Sequence, residues 1–83
     1  MQQYKGEDLQ ALVNKNGLVL VDFFATWCGP CNMLMPVVEQ LSQELPDTKF
    51  IKVDIDEYRK EAIESGIRAV PTLVLFKDGK EVA

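Results

Sequence analysis

Apolar positions along this chain follow two rhythms, and the order in which the rhythms alternate predicts the fold. Between Glu7 and Val13, Leu9, Leu12 and Val13 fall on one side of a short helix, which Asn14-Lys15-Asn16-Gly17 then breaks. Leu18 to Phe24 is β-branched and apolar on both faces apart from Asp22, the pattern of a central strand covered above and below by helices. From Cys31 to Leu45 the apolar residues Leu34, Val38, Leu41 and Leu45 recur at helical steps until Pro46 ends the run. Pro36 is expected to kink that helix, because it has no N–H to donate to the carbonyl of Asn32.

Lys49 to Asp54 alternates as a strand, and Asp56 is the expected cap of a helix from about Glu57 to Ser65 that Gly66 stops. Leu73 to Phe76 is a third strand, and Lys77-Asp78-Gly79-Lys80 turns into a fourth at Glu81-Val82-Ala83. The predicted order is α, β, α, β, α, β, β. Helices between the first three strands imply a parallel pair with a right-handed crossover, followed by an antiparallel hairpin. This is an α/β chain with a central mixed sheet flanked by helices, and residues 1–83 are read as one domain without repeats or linkers.

Composition narrows the function. The formal net charge is −4 and the nine basic residues are scattered, which disfavours a nucleic-acid surface. No apolar run approaches a membrane span, and Met1 to Asp8 lacks the basic and apolar regions of a signal peptide, so a cytoplasmic location is the default expectation. Two cysteines cannot make a secreted disulfide framework, and a single Cys-x-x-Cys in a reducing compartment reads as catalytic or metal-binding. The chain has no histidine, which removes Cys-His and Ser-His catalysis and the usual general base near neutral pH. A reactive thiol here must draw on a helix dipole, a lysine or a carboxylate.

The chemistry centres on Trp27-Cys28-Gly29-Pro30-Cys31, where strand gives way to helix. A disulfide across so short a loop contributes about 2 kcal/mol of chain-entropy stabilisation, against about 3 for a fifteen-residue loop, so it suits a switch better than a staple. Cys28 at the helix mouth meets unpaired N–H groups and the positive dipole end, which makes it the candidate nucleophile. A lowered thiol pKa is already an established property of such motifs. Gly29 lets the backbone turn, Pro30 sits where a helix has no hydrogen bond to lose, and Cys31 lies on the same helical face as Cys28, placed to resolve a mixed disulfide.

Asp22 interrupts an apolar strand six residues before Cys28. Buried, it is a candidate proton acceptor for Cys31; at a strand edge, it is a solvated acid. Lys52 on the next strand is either its partner or a solvated lysine. Val70-Pro71-Thr72 precedes the third strand, where an X-Pro bond can be cis, although only about one in twenty such bonds is. Asp54-Ile55-Asp56-Glu57 lacks the glycine and distal glutamate of a calcium loop and is read as helix capping. Met33 and Met35 are read as core or docking surface rather than metal ligands.

Together these residues resemble the thioredoxin family: Val21-Asp22-Phe23, Trp27-Cys28-Gly29-Pro30-Cys31, Pro36, Lys52-Val53-Asp54-Ile55-Asp56, Gly66-Ile67-Arg68 and Val70-Pro71-Thr72 match through essentially the whole chain. The resemblance implies a thioredoxin fold and a cofactor-free dithiol-disulfide exchanger, recharged by a thioredoxin reductase and passing electrons to protein disulfides. It also implies that Cys28 attacks, Cys31 resolves, and Asp22 with Lys52 manages the proton. By the same likeness Pro71 is cis, Val70 pairs with an extended substrate strand, and Trp27, Gly29 and Pro30 belong to the docking surface.

Phe24 stands where the family commonly has tryptophan, and Asn32 where lysine is usual. The chain also ends at Ala83, inside the family's last strand and short of its final helix. If that helix buries three or four large side chains at about 1.5 to 3 kcal/mol each, its loss approaches a small domain's stability of roughly 5 to 15 kcal/mol. The expectation is a marginal monomer, an oligomer or a domain-swapped dimer. Two other readings remain at this point: a four-thiolate zinc or iron-sulfur site at a dimer interface, and an inactive fragment.

Overall fold

The computed structural model describes residues 1–83, whose order is β1 (Gln2–Gln3), α1 (Leu9–Val13), β2 (Leu18–Phe24), α2 (Gly29–Glu44), β3 (Lys49–Asp54), α3 (Arg59–Glu64), β4 (Thr72–Lys77) and β5 (Lys80–Glu81). They build one five-stranded sheet in the order β1-β3-β2-β4-β5. The apolar strand β2 is central as expected, parallel to β3 on one side and antiparallel to β4 on the other. Only helices on both faces can cover such a strand.

Strand alternation sorts the side chains into two layers. Val19, Val21 and Phe23 point to one face of β2, level with Ile51 and Val53 of β3 and Val74 of β4. With Tyr4 and Val13 they form the main core, against which Leu9, Leu12, Ile67 and Phe76 pack. Asp22 and Phe24 point to the opposite face. Phe24 joins Ala25, Cys28 and Cys31 in a second, smaller cluster with Met35, Ile55 and Val70 around it.

The structure differs from the sequence expectation at the N-terminus, where β1 was not foreseen. Gln2 and Gln3 pair in parallel with Ile51 and Lys52. Two exposed or half-exposed glutamines carry no hydrophobic period, so only the sheet edge offered by β3 makes them a strand. Tyr4 follows, with its N–H donating to the carbonyl of Lys52 at 2.9 Å and its ring fully buried edge-on to Tyr58. Its hydroxyl donates to the Glu7 carbonyl and contacts a Glu61 carboxylate oxygen at 3.0 Å. Burial first, and then the Glu61 carboxylate, push the Tyr4 phenol up to about 12.

A second correction concerns the start of α3. Asp56 does not cap it; the helix begins at Arg59 after Tyr58, which provides no side-chain cap. The Asp54 carboxylate takes over the turn, accepting from the N–H groups of Asp56 at 2.9 Å and Glu57 at 3.4 Å. Gly66 at φ +73° ends the segment as its lack of a Cβ allows. The first helix does have a side-chain cap, one the sequence reading did not name: Asp8 accepts from the N–H of Ala11 at 3.3 Å. α2 runs through Pro36 without interruption.

The last hairpin turns at Asp78-Gly79 alone, because Lys77 and Lys80, both expected in the turn, pair as strand residues. Asp78 adopts φ +52° and is clamped to the β2 entrance from both sides: its N–H donates to the Gly17 carbonyl, and its carboxylate accepts from the Gly17 N–H at 2.8 Å. Beyond β5, the N–H groups of Val82 and Ala83 both reach the carbonyl of Leu75, two residues opposite one as in a β-bulge.

Candidate active site at the strand-to-helix junction

β2 ends at Phe24, and four residues later Cys28 serves as the N-cap of α2 in extended conformation. Gly29 and Pro30 occupy the first helical positions, where neither is asked for an intrahelical donor. The N–H of Cys31 points back at the Cys28 sulfur, 3.2 Å away. Cys28 and Cys31 are joined as a disulfide, with Cα atoms 5.2 Å apart. The sulfur bond therefore lies at the positive end of a helix of 16 residues and accepts one of its unpaired N–H groups.

Both cysteines are buried, Cys28 at 5 % and Cys31 at 1 % exposure, so attack on the pair is restricted to a narrow approach beside Cys28. Val70 borders that approach, its carbonyl oxygen 3.8 Å from the Cys28 sulfur. The Val70-Pro71 peptide is cis, and Thr72 steadies the turn by donating its hydroxyl to the Ala69 carbonyl at 2.6 Å. Neither the N–H nor the carbonyl of Val70 has a backbone hydrogen-bond partner. An extended chain laid beside it finds both groups free.

Asp22 is buried at 2 % exposure on the disulfide's side of the sheet, and its Oδ1 has no hydrogen-bond partner. Of the two readings left open by the sequence, the buried one holds. Burial pushes its carboxyl pKa up, and the positive charge of Lys52 pulls it only partly back. Lys52 is the β3 residue in register with Asp22, half-buried, yet forms no ion pair with it; the protein's one ion pair joins the Met1 ammonium to Glu39. The lysine acts on the carboxylate through space.

Trp27 lies 69 % exposed beside Cys28, an uncommon setting for so large an apolar ring. Its indole N–H donates to Asp56 at 2.7 Å, which fixes the ring against the β3–α3 loop. The role of Asp56 was missed by sequence reasoning, because nothing in the spacing of Trp27 and Asp56 announces a hydrogen bond across two loops. Asn32 was noted only as a departure from lysine. Its side-chain amide donates to the Thr26 carbonyl at 3.2 Å and straps the loop that carries Trp27 and Cys28.

A metal centre finds little here. No group of three or more metal-ligating side chains is assembled within the chain, and Val70 and Met35 pack against the cluster that holds the two cysteines.

A buried disulfide at a helix start, placed by a mixed sheet and bordered by the Val70-Pro71 turn, is the arrangement of a thiol-disulfide oxidoreductase. The chain belongs to the thioredoxin family, whose model matches residues 1–83. It is 54 % identical over 82 residues to thioredoxin of Chlamydia muridarum, covering 99 % of this chain and 80 % of that protein. Against thioredoxin-1 of Saccharomyces cerevisiae the identity is 45 % over 82 residues, covering 98 % of this chain and 80 % of the yeast protein. The X-ray structure of Fasciola hepatica thioredoxin superposes with a TM-score of 0.92 at 45 % identity, covering all of this chain and 83 % of that one. The protein is accordingly a protein-disulfide oxidoreductase with a redox-active cysteine pair.

Proposed function

We propose that residues 1–83, as one domain, reduce disulfides of protein substrates by the following division of labour. In the dithiol form the Cys28 thiolate attacks one sulfur of the substrate disulfide, forming a mixed disulfide and releasing the first substrate sulfur as a thiolate that takes up a proton from water. Cys31 then loses its proton to the Asp22 carboxylate and attacks the Cys28 sulfur. The Cys28–Cys31 bond forms, the second substrate thiolate leaves, and two electrons have passed to the substrate. Lys52 tunes the affinity of Asp22 for that proton.

The observation that carries this reading is the unpartnered, buried Asp22 oxygen on the disulfide's side of the sheet. A carboxylate with a buried oxygen left without a hydrogen bond is a ready proton acceptor once a thiol must ionise nearby. Trp27, Gly29 and Pro30 form the surface against which the substrate segment rests, and the free backbone groups of Val70, next to Pro71, pair with it as an added strand. A thioredoxin reductase is the electron donor that returns the pair to the dithiol state, in a cytoplasmic electron-transfer chain suited to a protein with no disulfide framework. No helix is long and apolar enough to cross a membrane.

The isolated chain self-associates in this reading, supported by exposed Leu18 and Leu73 on the sheet and Val82 just beyond β5. The test of the function is turnover: with a thioredoxin reductase and its reductant, one reducing equivalent pair is consumed per protein disulfide cleaved. Absence of consumption while the chain is folded and its thiols are titratable would overturn the reading.

A further inference from the structure

On the face of the sheet opposite the disulfide, a groove of about 460 Å³ opens between α1 and α3. Its volume lies within the usual range for a ligand-binding cleft. Its floor is apolar, made of Leu9, Val13, Phe23, Val74 and Phe76. Its rim is acidic: Glu7, Asp8, Glu61, Glu64 and Glu81 surround it, with Lys60 the one cation among the lining residues.

The groove thus holds five carboxylates against one ammonium, a formal −4, and the entire chain is also −4. The rest of the chain balances eight acids, one of them the buried Asp22, against eight bases, so the formal excess of negative charge lies at this cleft. Three of the five carboxylates have work within the fold. Glu7 accepts from the Lys5 N–H, Asp8 caps α1, and Glu61 contacts the Tyr4 hydroxyl. Glu64 and Glu81 are exposed and take no part in the protein's one ion pair, which joins Met1 to Glu39. Lys5 and Lys49 act on Glu7 from beside the groove, which leaves the exposed Glu64 and Glu81 as the rim charges without an ion-pair partner, and like charges around a half-open trough are unfavourable until an opposite charge arrives.

We infer that this groove docks a basic amphipathic segment of a protein partner, whose apolar side chains enter between α1 and α3 while its lysines or arginines meet Glu64 and Glu81. The stems of lysine and arginine suit the site, since their methylenes cover apolar surface while the charged ends stay at the rim. Docking there leaves Cys28, Trp27 and Val70 uncovered, because the groove and the disulfide lie on opposite faces of β2. A partner held in this way remains free to exchange with the active site or to tether it.

The probe is a synthetic amphipathic peptide of leucine and lysine at helical spacing, compared with its leucine-glutamate counterpart. Binding is followed by fluorescence anisotropy and mapped by backbone amide shifts on the full chain. The lysine peptide is expected to bind and to shift amides of α1, α3 and β5, while the glutamate peptide does not. Glu64→Lys with Glu81→Lys is expected to weaken binding about tenfold or more, and Lys60→Glu to strengthen it. Disulfide-reducing turnover should remain unchanged in both variants. Equal binding of both peptides, indifference to these substitutions, or shifts confined to the leucine face at Leu18 and Leu73 or to the disulfide loop would each overturn the inference.

Discussion

Cys31→Ser is expected to stop turnover while leaving the first chemical step intact, so that the protein accumulates as a mixed disulfide with its substrate through Cys28. The reason is proximity. Cys31 and Cys28 sit three residues apart on one helical turn, with Cα atoms 5.2 Å apart, and the resolving attack is intramolecular. Well-oriented intramolecular reactions reach effective concentrations of about 10⁵ M or more, which no external thiol can match, so the turnover rate should fall at least on the order of a thousandfold. Serine is close to cysteine in size, and a site with 1 % exposure tolerates it better than a larger residue. Mass spectrometry of the trapped adduct and of Cys28→Ser beside it makes the assignment. A mixed disulfide trapped by Cys28→Ser through Cys31, or full turnover by Cys31→Ser with no added thiol, would contradict these roles of the two sulfurs.

Asp22→Asn should separate stability from rate in opposite directions. In the folded protein burial raises the Asp22 pKa, so the native state holds this proton more tightly than the unfolded chain does. Protonation therefore favours folding. The penalty for the charged form is absent below the unfolded value of about 3.9, grows as pH rises toward the folded pKa, and is complete above it. At neutral pH the substitution removes a buried charge lacking a hydrogen bond on Oδ1 and is expected to stabilise the protein by about 1 to 3 kcal/mol, read as a higher denaturant midpoint. Near pH 3.5 the gain should vanish. Turnover at neutral pH should meanwhile fall about a hundredfold, the usual worth of a positioned base, with the mixed disulfide as the species that accumulates. A midpoint that is lower, or raised equally at both pH values, contradicts the burial argument, and an unchanged rate contradicts the proton role.

Much of this site was legible because its chemistry is local. Cys28, Gly29, Pro30 and Cys31 are adjacent in sequence, and the switch from a continuous apolar run to a helical period places them at a helix start without reference to the rest of the chain. The burial of Asp22 was half legible: its apolar neighbours on β2 indicated an interior position, but only the layers above and below decide between interior and edge. What could not be read is what depends on distant segments. β1 exists because β3 offers an edge, the Trp27–Asp56 hydrogen bond spans two loops, and Asp54 displaces Asp56 as the turn-forming acid because the backbone folds back over it. The cis geometry of Pro71 was carried by family likeness alone. The acidic groove is the clearest case, since Glu7, Asp8, Glu61, Glu64 and Glu81 come from three separate stretches and look like solvated charges in each.

The measurement that bears most directly on the central claim is an equilibrium redox titration of the full chain in a dithiol buffer, followed by the fluorescence of Trp27, which adjoins Cys28 and is the only tryptophan. A reversible transition with the slope of a two-electron couple, about 30 mV per tenfold change in the oxidised-to-reduced ratio, is the predicted result, with far-ultraviolet circular dichroism unchanged across it. A transition that appears only together with loss of secondary structure, or no transition over the range in which protein disulfides are reduced, would mean that the Cys28–Cys31 pair staples this fold rather than exchanging through it.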